Sequence, residues 1–165
     1  LKAEAVLRGW AGMELTGTVE DYYKSGIKAS MDYYGIANDK AQAYIDGEKA
    51  LTGKVFEGKS KEKQLEAIIT QKWMAIFPNG NEGWAEFRRT DYPALANQLT
   101  NNSGGDVPMG KNIKRILYPF SENNNTYFTS HPELQKVNTQ GTRLWWDVAD
   151  TNDADGHRLQ PNNFR

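Results

Sequence analysis

Along the first ninety positions the apolar residues recur every three or four places, the period of one helical face. Ala3, Val6, Leu7 and Trp10 open the chain in this rhythm, and Gly9 and Gly12 loosen the backbone at its end. Val19, Tyr22, Tyr23, Ile27, Met31 and Tyr34 make a longer stripe. Thr18 with Asp21 three residues on predicts a capping box, Glu20 suits the positive helix start, and Gly35 suits the stop. Gly26 shares the apolar face and predicts the close approach of a neighbouring helix. Asn38 is the expected cap of a short helix through Ala41, Tyr44 and Ile45. Residues 46–59 are rich in Gly and Lys and read as an exposed connection. Ser60 restarts the helical pattern with Leu65, Ile68, Ile69, Trp73, Ile76 and Phe77 on one face. Pro78 ends it, because proline disfavours helix at the residue before it. Asn81 is the expected cap of the next helix, where Trp84, Phe87 and Arg88 share a side and which stops before Tyr92-Pro93. So short a turn predicts an antiparallel hairpin that faces itself through Trp73 and Trp84.

After Pro93 the periodicity fades. Residues 97–112 hold four Asn, three Gly and one Pro, which marks a loop. Ile113 to Leu117 alternates weakly, as a short strand or an extended segment. Ser121 is placed to cap a short helix through Tyr127 and Phe128, and Glu133 to Val137 reads as one more helical turn. From Gly141 on, extended backbone and then a polar tail are expected. The pattern predicts a mainly α-helical fold of antiparallel, tetratricopeptide-like hairpins with long irregular loops. It is repeat-like only, since no period is sustained. One domain over 1–165 is expected, with a helical core at 1–93 and a loop-rich segment at 94–165.

Three ordered stretches resemble a known family. Residues 70–93, TQKWMAIFPNGNEGWAEFRRTDYP, are similar to the signature region of the SusD/RagB family, glycan-binding outer-membrane lipoproteins of Bacteroidetes. Arg115-Ile116-Leu117-Tyr118-Pro119 with Ser121-Glu122, and Thr142-Arg143-Leu144-Trp145-Trp146-Asp147, match in the same order. LKAEAVLRGW and EDYYKSGIKASM resemble that family's helical-repeat core. One departure is Asp91, where the family pattern has glycine; Asp tolerates the left-handed backbone better than most residues. The resemblance implies a protein on the outer face of the outer membrane. It would capture oligosaccharides and pass them to a TonB-dependent transporter of the SusC type, without catalysis; the residues themselves point to no cofactor and no metal site. It also implies scaffold roles for the signature residues Trp73, Trp84, Arg88, Arg89, Tyr92, Pro93, Tyr118 and Pro119. Leu1 falls within a helical pattern with no cap before it, so the chain is expected to be the C-terminal part of a longer lipoprotein whose lipidated cysteine lies upstream.

Composition removes other classes. The 165 residues suffice for one sizeable core, and the net charge of −1 leaves no electrostatic footprint for nucleic acid or an anionic membrane. No apolar run approaches the ~20 residues that span a bilayer. With no cysteine, disulfides, thiol catalysis and thiolate metal sites are excluded.

Candidate chemistry is sparse. Trp145 and Trp146, between Arg143 and Asp147, suit sugar binding: a ring stacks on the C–H face of a pyranose while Arg and Asp bond its hydroxyls. The favoured reading is still that these rings pack into the common scaffold, because the motif belongs to the family signature while family members bind different glycans, and Trp is highly buried on average. Tyr22, Tyr23, Tyr33 and Tyr34 divide between core and surface, where a sugar or a protein partner would find them. Arg88 and Arg89 suit an anionic sugar or a carboxylate at the hairpin end, and the favoured role is structural, at the carbonyl end of their helix. Glu82 and Glu86 stand four apart, about the separation of a retaining glycosidase pair, but an exposed helix face keeps them solvated and rules out an acid–base role. Asp147, Asp150, Asn152, Asp153 and Asp155 fail the calcium-loop pattern, and His131 and His157 lack metal-ligand spacing. The rival to glycan capture is a helical protein-interaction module with no glycan contact of its own.

Overall fold

The computed structural model describes residues 1–12, 14–47, 58–96, 100–132 and 138–144. The chain forms two units, which divide between Ala94 and Leu95. Among the described residues there are helices and no strand. The first unit holds α1 (Lys2–Arg8), α2 (Val19–Tyr33), α3 (Asn38–Asp46), α4 (Lys61–Ala75) and α5 (Gly80–Thr90). In the second lie a 3₁₀ helix, Phe120–Asn124, and α6, Thr126–Ser130.

The helix ends follow local chemistry. At α1, Gly9 turns left-handed (φ 67°), and the Gly9 and Trp10 amides close back on the Val6 and Ala5 carbonyls. Gly35 does the same for α2 at φ 70°, with the Ile36 amide donating to the Met31 carbonyl at 2.9 Å. The start of α2 carries the expected capping box. Asp21 N–H donates to Thr18 Oγ1 at 3.1 Å, and Thr18 N–H to Asp21 Oδ2 at 2.9 Å. Ser60 caps α4 through the Lys63 amide. Asp91 supports the turn after α5 in the left-handed region, at φ 67°, where the family pattern has glycine.

Two caps differ from expectation. Asn79 caps α5, accepting from Glu82 N–H at 3.1 Å, because α5 starts at Gly80 and Asn81 already lies inside it. Asn38 is the first residue of α3 and the extended Ala37 stands at its cap, because the stop of α2 ends so close before it.

The core of the first unit joins Ala3 and Leu7 of α1, Tyr23 and Ile27 of α2, Ile45 of α3, Leu65, Ala67, Ile68 and Ile69 of α4, and Tyr92. The apolar stripes therefore converge as the periodicity predicts. The stripe of α4 is buried only along its first half: Trp73 and Phe77 are exposed. Helix α4 ends at Ala75, so Phe77 lies on the turn, and Trp73 reaches α5 at a glycine that covers little of it.

In the second unit the 101–107 loop is held by its own side chains. Asn101 Nδ2 and Ser103 Oγ donate to the Val107 carbonyl at 2.6 and 3.1 Å, and Val107 is buried. Gly141 donates to the Asp106 carbonyl, and a Cβ there would fall 2.8 Å from that same oxygen, so only glycine fits. Ile113 to Leu117 is irregular rather than strand, anchored where Lys114 and Arg115 amides donate to the Gln140 carbonyl. Pro119, not Ser121, stands before the 3₁₀ helix, and Asn125 caps α6 through the Tyr127 amide. Residues 133–137, read as a helical turn, lie outside the described residues.

Candidate functional site

Trp73, Trp84, Arg88, Arg89 and Tyr92 of the signature stretch each make a contact within the first unit. Trp73 Nε1 stands 3.2 Å from where a Gly83 Cβ would be, so the helix crossing depends on the bare backbone at Gly83. The close approach expected at Gly26 occurs here instead; nothing lies within 4 Å of a Cβ on Gly26. Trp84 carries the Arg88 guanidinium 3.9 Å from its ring centroid, a cation–π contact rather than a Trp73–Trp84 face. Tyr92 is buried, with its hydroxyl donating to Glu62 at 3.2 Å.

Arg89 belongs to an ion-pair lattice that links α1, α4 and α5. Its Nη1 and Nη2 donate to Glu4 Oε1 and Oε2 at 2.6 and 2.9 Å, a two-pronged pair, and Nη2 also donates to Glu86 Oε2 at 2.7 Å. Arg8 Nε adds 2.9 Å to Glu4, and Lys72 Nζ donates to Glu86 and Glu82 at 2.6 and 3.2 Å. The Glu4 side chain is only 1% exposed. Burial pushes its carboxyl up, but the bonds and charges of Arg89 and Arg8 outweigh this and hold it below the ordinary glutamate range. Burial likewise opposes the Arg89 charge, and Glu4 and Glu86 outweigh it, raising its pKa. This changes two readings from the sequence. Arg89 pairs with carboxylates, as one sequence reading allowed, but chiefly with Glu4, 85 residues away, rather than serving the helix end, and Glu86 is buried, not solvated. With Lys72 and Arg89 bound to it, Glu86 is a structural anion. The four-residue step from Glu4 to Arg8 and the three-residue step from Glu86 to Arg89 hinted at parts of this lattice in the sequence; the step from Glu4 to Arg89 had no local signal.

A groove of about 860 Å³ opens between α1, α2 and α4. Tyr22, Met31, Tyr34, Tyr44, Gln71 and Met74 are among its walls, and Gly26 opens onto it. Gln71 Nε2 donates to the Tyr44 hydroxyl at 2.7 Å. Burial, then the neighbouring Tyr44, raises the Tyr23 phenol pKa, against a Gln71 hydrogen bond that lowers it. At the far end of α2, Tyr33 and Tyr34 meet edge to face at 5.2 Å, and the Tyr34 hydroxyl donates to the Phe77 carbonyl at 2.6 Å.

In the second unit Tyr118 meets Phe128 edge to face at 5.2 Å and carries the Arg115 guanidinium 4.2 Å from its centroid. Arg115 Nη2 and the Tyr118 amide both donate to Asn138 Oδ1. Pro93 is half-buried and Pro119 exposed. Tyr127 and His131 stack at 4.0 Å. Of the sugar-binding candidates, Arg143 is described and half-buried, while Trp145, Trp146 and Asp147 lie outside the described residues, as do the acidic tail and His157. No group of three potential metal ligands occurs among the described residues, and no described helix is long and apolar enough to cross a membrane.

The sequence profile of the family described as SusD-like, "Susd and RagB outer membrane lipoprotein", matches residues 1–57 and 48–147. The chain belongs to the SusD/RagB family. A chitin-binding SusD homologue from Flavobacterium johnsoniae is 33% identical, with 90% of this chain and 35% of that one covered at a TM-score of 0.75. SusD homologues from Bacteroides uniformis and Bacteroides vulgatus are 31% and 32% identical. They cover 90% and 92% of this chain and 35% and 34% of their own, at TM-scores of 0.75 and 0.70. The helical, tetratricopeptide-like fold is thus that of SusD proteins, and the chain spans about a third of the length of these structures. No curated protein matches the chain.

Proposed function

We propose that the chain is part of a cell-surface glycan-binding protein that delivers oligosaccharides to a TonB-dependent transporter of the SusC type. The observation that carries this reading is family membership together with 33% identity, over nine-tenths of the chain, to a chitin-binding SusD homologue. The protein sits on the extracellular face of the outer membrane through a lipid anchor and performs no chemistry. Trp145 and Trp146 supply ring faces for pyranose stacking, and Arg143 and Asp147 the hydroxyl partners. Neutralised carboxylates such as Glu86, bound by Lys72 and Arg89, support binding over hydrolysis.

Affinity electrophoresis through gels containing soluble chitin derivatives and other polysaccharides tests the reading. Retardation by at least one polysaccharide, weakened by Trp146→Ala, is expected. A chain that runs freely through a broad panel leaves the protein-interaction module as the better account.

A further inference from the structure

We infer that Tyr33, Tyr34 and Phe77 form a second carbohydrate-contact surface, at the corner where the end of α2 meets the α4–α5 turn. The inference rests on the glycan-binding reading and adds to it residues other than the Trp145–Trp146 candidates. The three residues are 83%, 52% and 74% exposed, far more than residues on an apolar helical stripe or in a packed hairpin need be.

The corner is built rather than loose. The Tyr33 and Tyr34 rings stand at 87° with centroids 5.2 Å apart, one a floor and the other a wall. The Tyr34 hydroxyl, donating to the Phe77 carbonyl at 2.6 Å across 43 residues, fixes the α2 end to the turn. A ring pinned in this way gives up little rotamer freedom when a ligand arrives, which is how preorganisation raises affinity. The chemistry suits a neutral polyol. Ring faces take the C–H side of a pyranose, the Tyr33 phenol donates and accepts, and the Tyr34 oxygen keeps acceptor capacity while it donates to Phe77.

Size favours a sugar over a protein. At about 200 Å² per aromatic side chain, these exposures leave roughly 400 Å² in contact with water. That is about half of the ~800 Å² that each partner contributes to a stable protein interface. It matches a short run of sugar units, each about as wide as one phenyl ring.

The test uses Tyr33→Ala, Phe77→Ala and Tyr34→Phe in the whole chain, with helicity checked by circular dichroism and binding measured against the polysaccharide that retards the unaltered chain. Each alanine variant is expected to weaken binding about tenfold, as loss of an aromatic hot spot does. Tyr34→Phe keeps the ring, loses the pin to Phe77, and is expected to weaken binding about threefold. If Trp146→Ala loses binding while all three corner variants retain it, this inference is overturned and glycan binding stands. If the unaltered chain binds no polysaccharide, both fall together. Corner variants that keep sugar binding but lose a SusC-type transporter would show a protein contact and overturn the inference.

Discussion

Removing the Glu4 carboxylate tests the ion-pair lattice most directly. Glu4→Ala deletes three charge-assisted hydrogen bonds, from Arg8 and from both prongs of Arg89. Such bonds contribute about 1.5–3 kcal/mol each when fully buried. Arg89, however, is 37% exposed and keeps Glu86, so water and that second carboxylate recover part of the loss. What remains is about 3 kcal/mol, within the range for breaking one side of a buried pair. For a chain of this size that lowers Tm by about 6–12 °C. Urea unfolding followed by helical circular dichroism measures it, and a Glu4→Ala/Arg89→Ala cycle should return a coupling near 2 kcal/mol. The pH dependence has a definite sign. Because the folded Glu4 pKa is depressed, its contribution is present above the ordinary glutamate value and is lost as pH falls through the folded pKa. Glu4→Gln should therefore flatten the acid limb of the stability curve. A loss below about 1 kcal/mol, or an acid limb unchanged in Glu4→Gln, refutes the lattice as a stabilising element.

Three further outcomes are expected. Thr18→Ala removes the capping box of α2 and should cost about 1 kcal/mol by the same urea measurement. Gly141→Ala would press a Cβ to 2.8 Å from the Asp106 carbonyl and 3.0 Å from Pro108, where little can give; about 2 kcal/mol is expected, with faster proteolysis within 101–144 as the local readout. Burial first, with Tyr44 for Tyr23 and Glu62 for Tyr92, raises two of the eight phenols above the ordinary tyrosine value. Their contribution to stability is full below about pH 10 and falls at higher pH, where the unfolded chain ionises first. Titration at 295 nm should show a delayed fraction that vanishes in urea, and all eight titrating together would contradict it.

The helices were legible because their signals are local. Thr18 with Asp21, Ser60, and Gly35 each act within one turn, and the α2 and α4 stripes meet wherever the chain brings apolar faces together. The features that were not legible depended on partners distant in sequence. Glu4 and Arg89 are 85 residues apart, and Tyr34 and Phe77 are 43 apart. No period or spacing connects them. Gly26 and Gly83 look alike in the sequence, yet only Gly83 has an indole over it, because helix contact depends on which faces meet and not on which residues are small. Asn79 and Asn81 differ as caps only by where the Pro78 turn lets the next helix start. The sugar-contact candidates Trp145 and Trp146 were legible as chemistry, since ring and charge stand side by side in the sequence, and they lie outside the described residues.

The fate of the signature residues bears on how one fold can serve different ligands. Trp73 lies on Gly83, Trp84 under Arg88, Arg89 on Glu4 and Glu86, and Tyr92 on Glu62. Each of these side chains already makes a contact within the first unit, so a ligand recruiting Arg89 or Tyr92 would have to break an internal contact first. For Arg89 that would leave the buried Glu4 with a weakened set of partners, a loss comparable to the roughly 3 kcal/mol of Glu4→Ala and about 150-fold in affinity. Ligand recognition is cheaper on side chains whose removal costs the fold little. Among the described residues of this unit, Tyr33 and Phe77 fit that condition best, since both are held by backbone on ordered elements while most of the side chain meets water. On the inference above, substitution there would alter glycan binding without altering the scaffold. That asymmetry is measurable: Tyr33→Ala should move binding about tenfold and Tm by less than about 2 °C, whereas Glu4→Ala should move Tm by several degrees first.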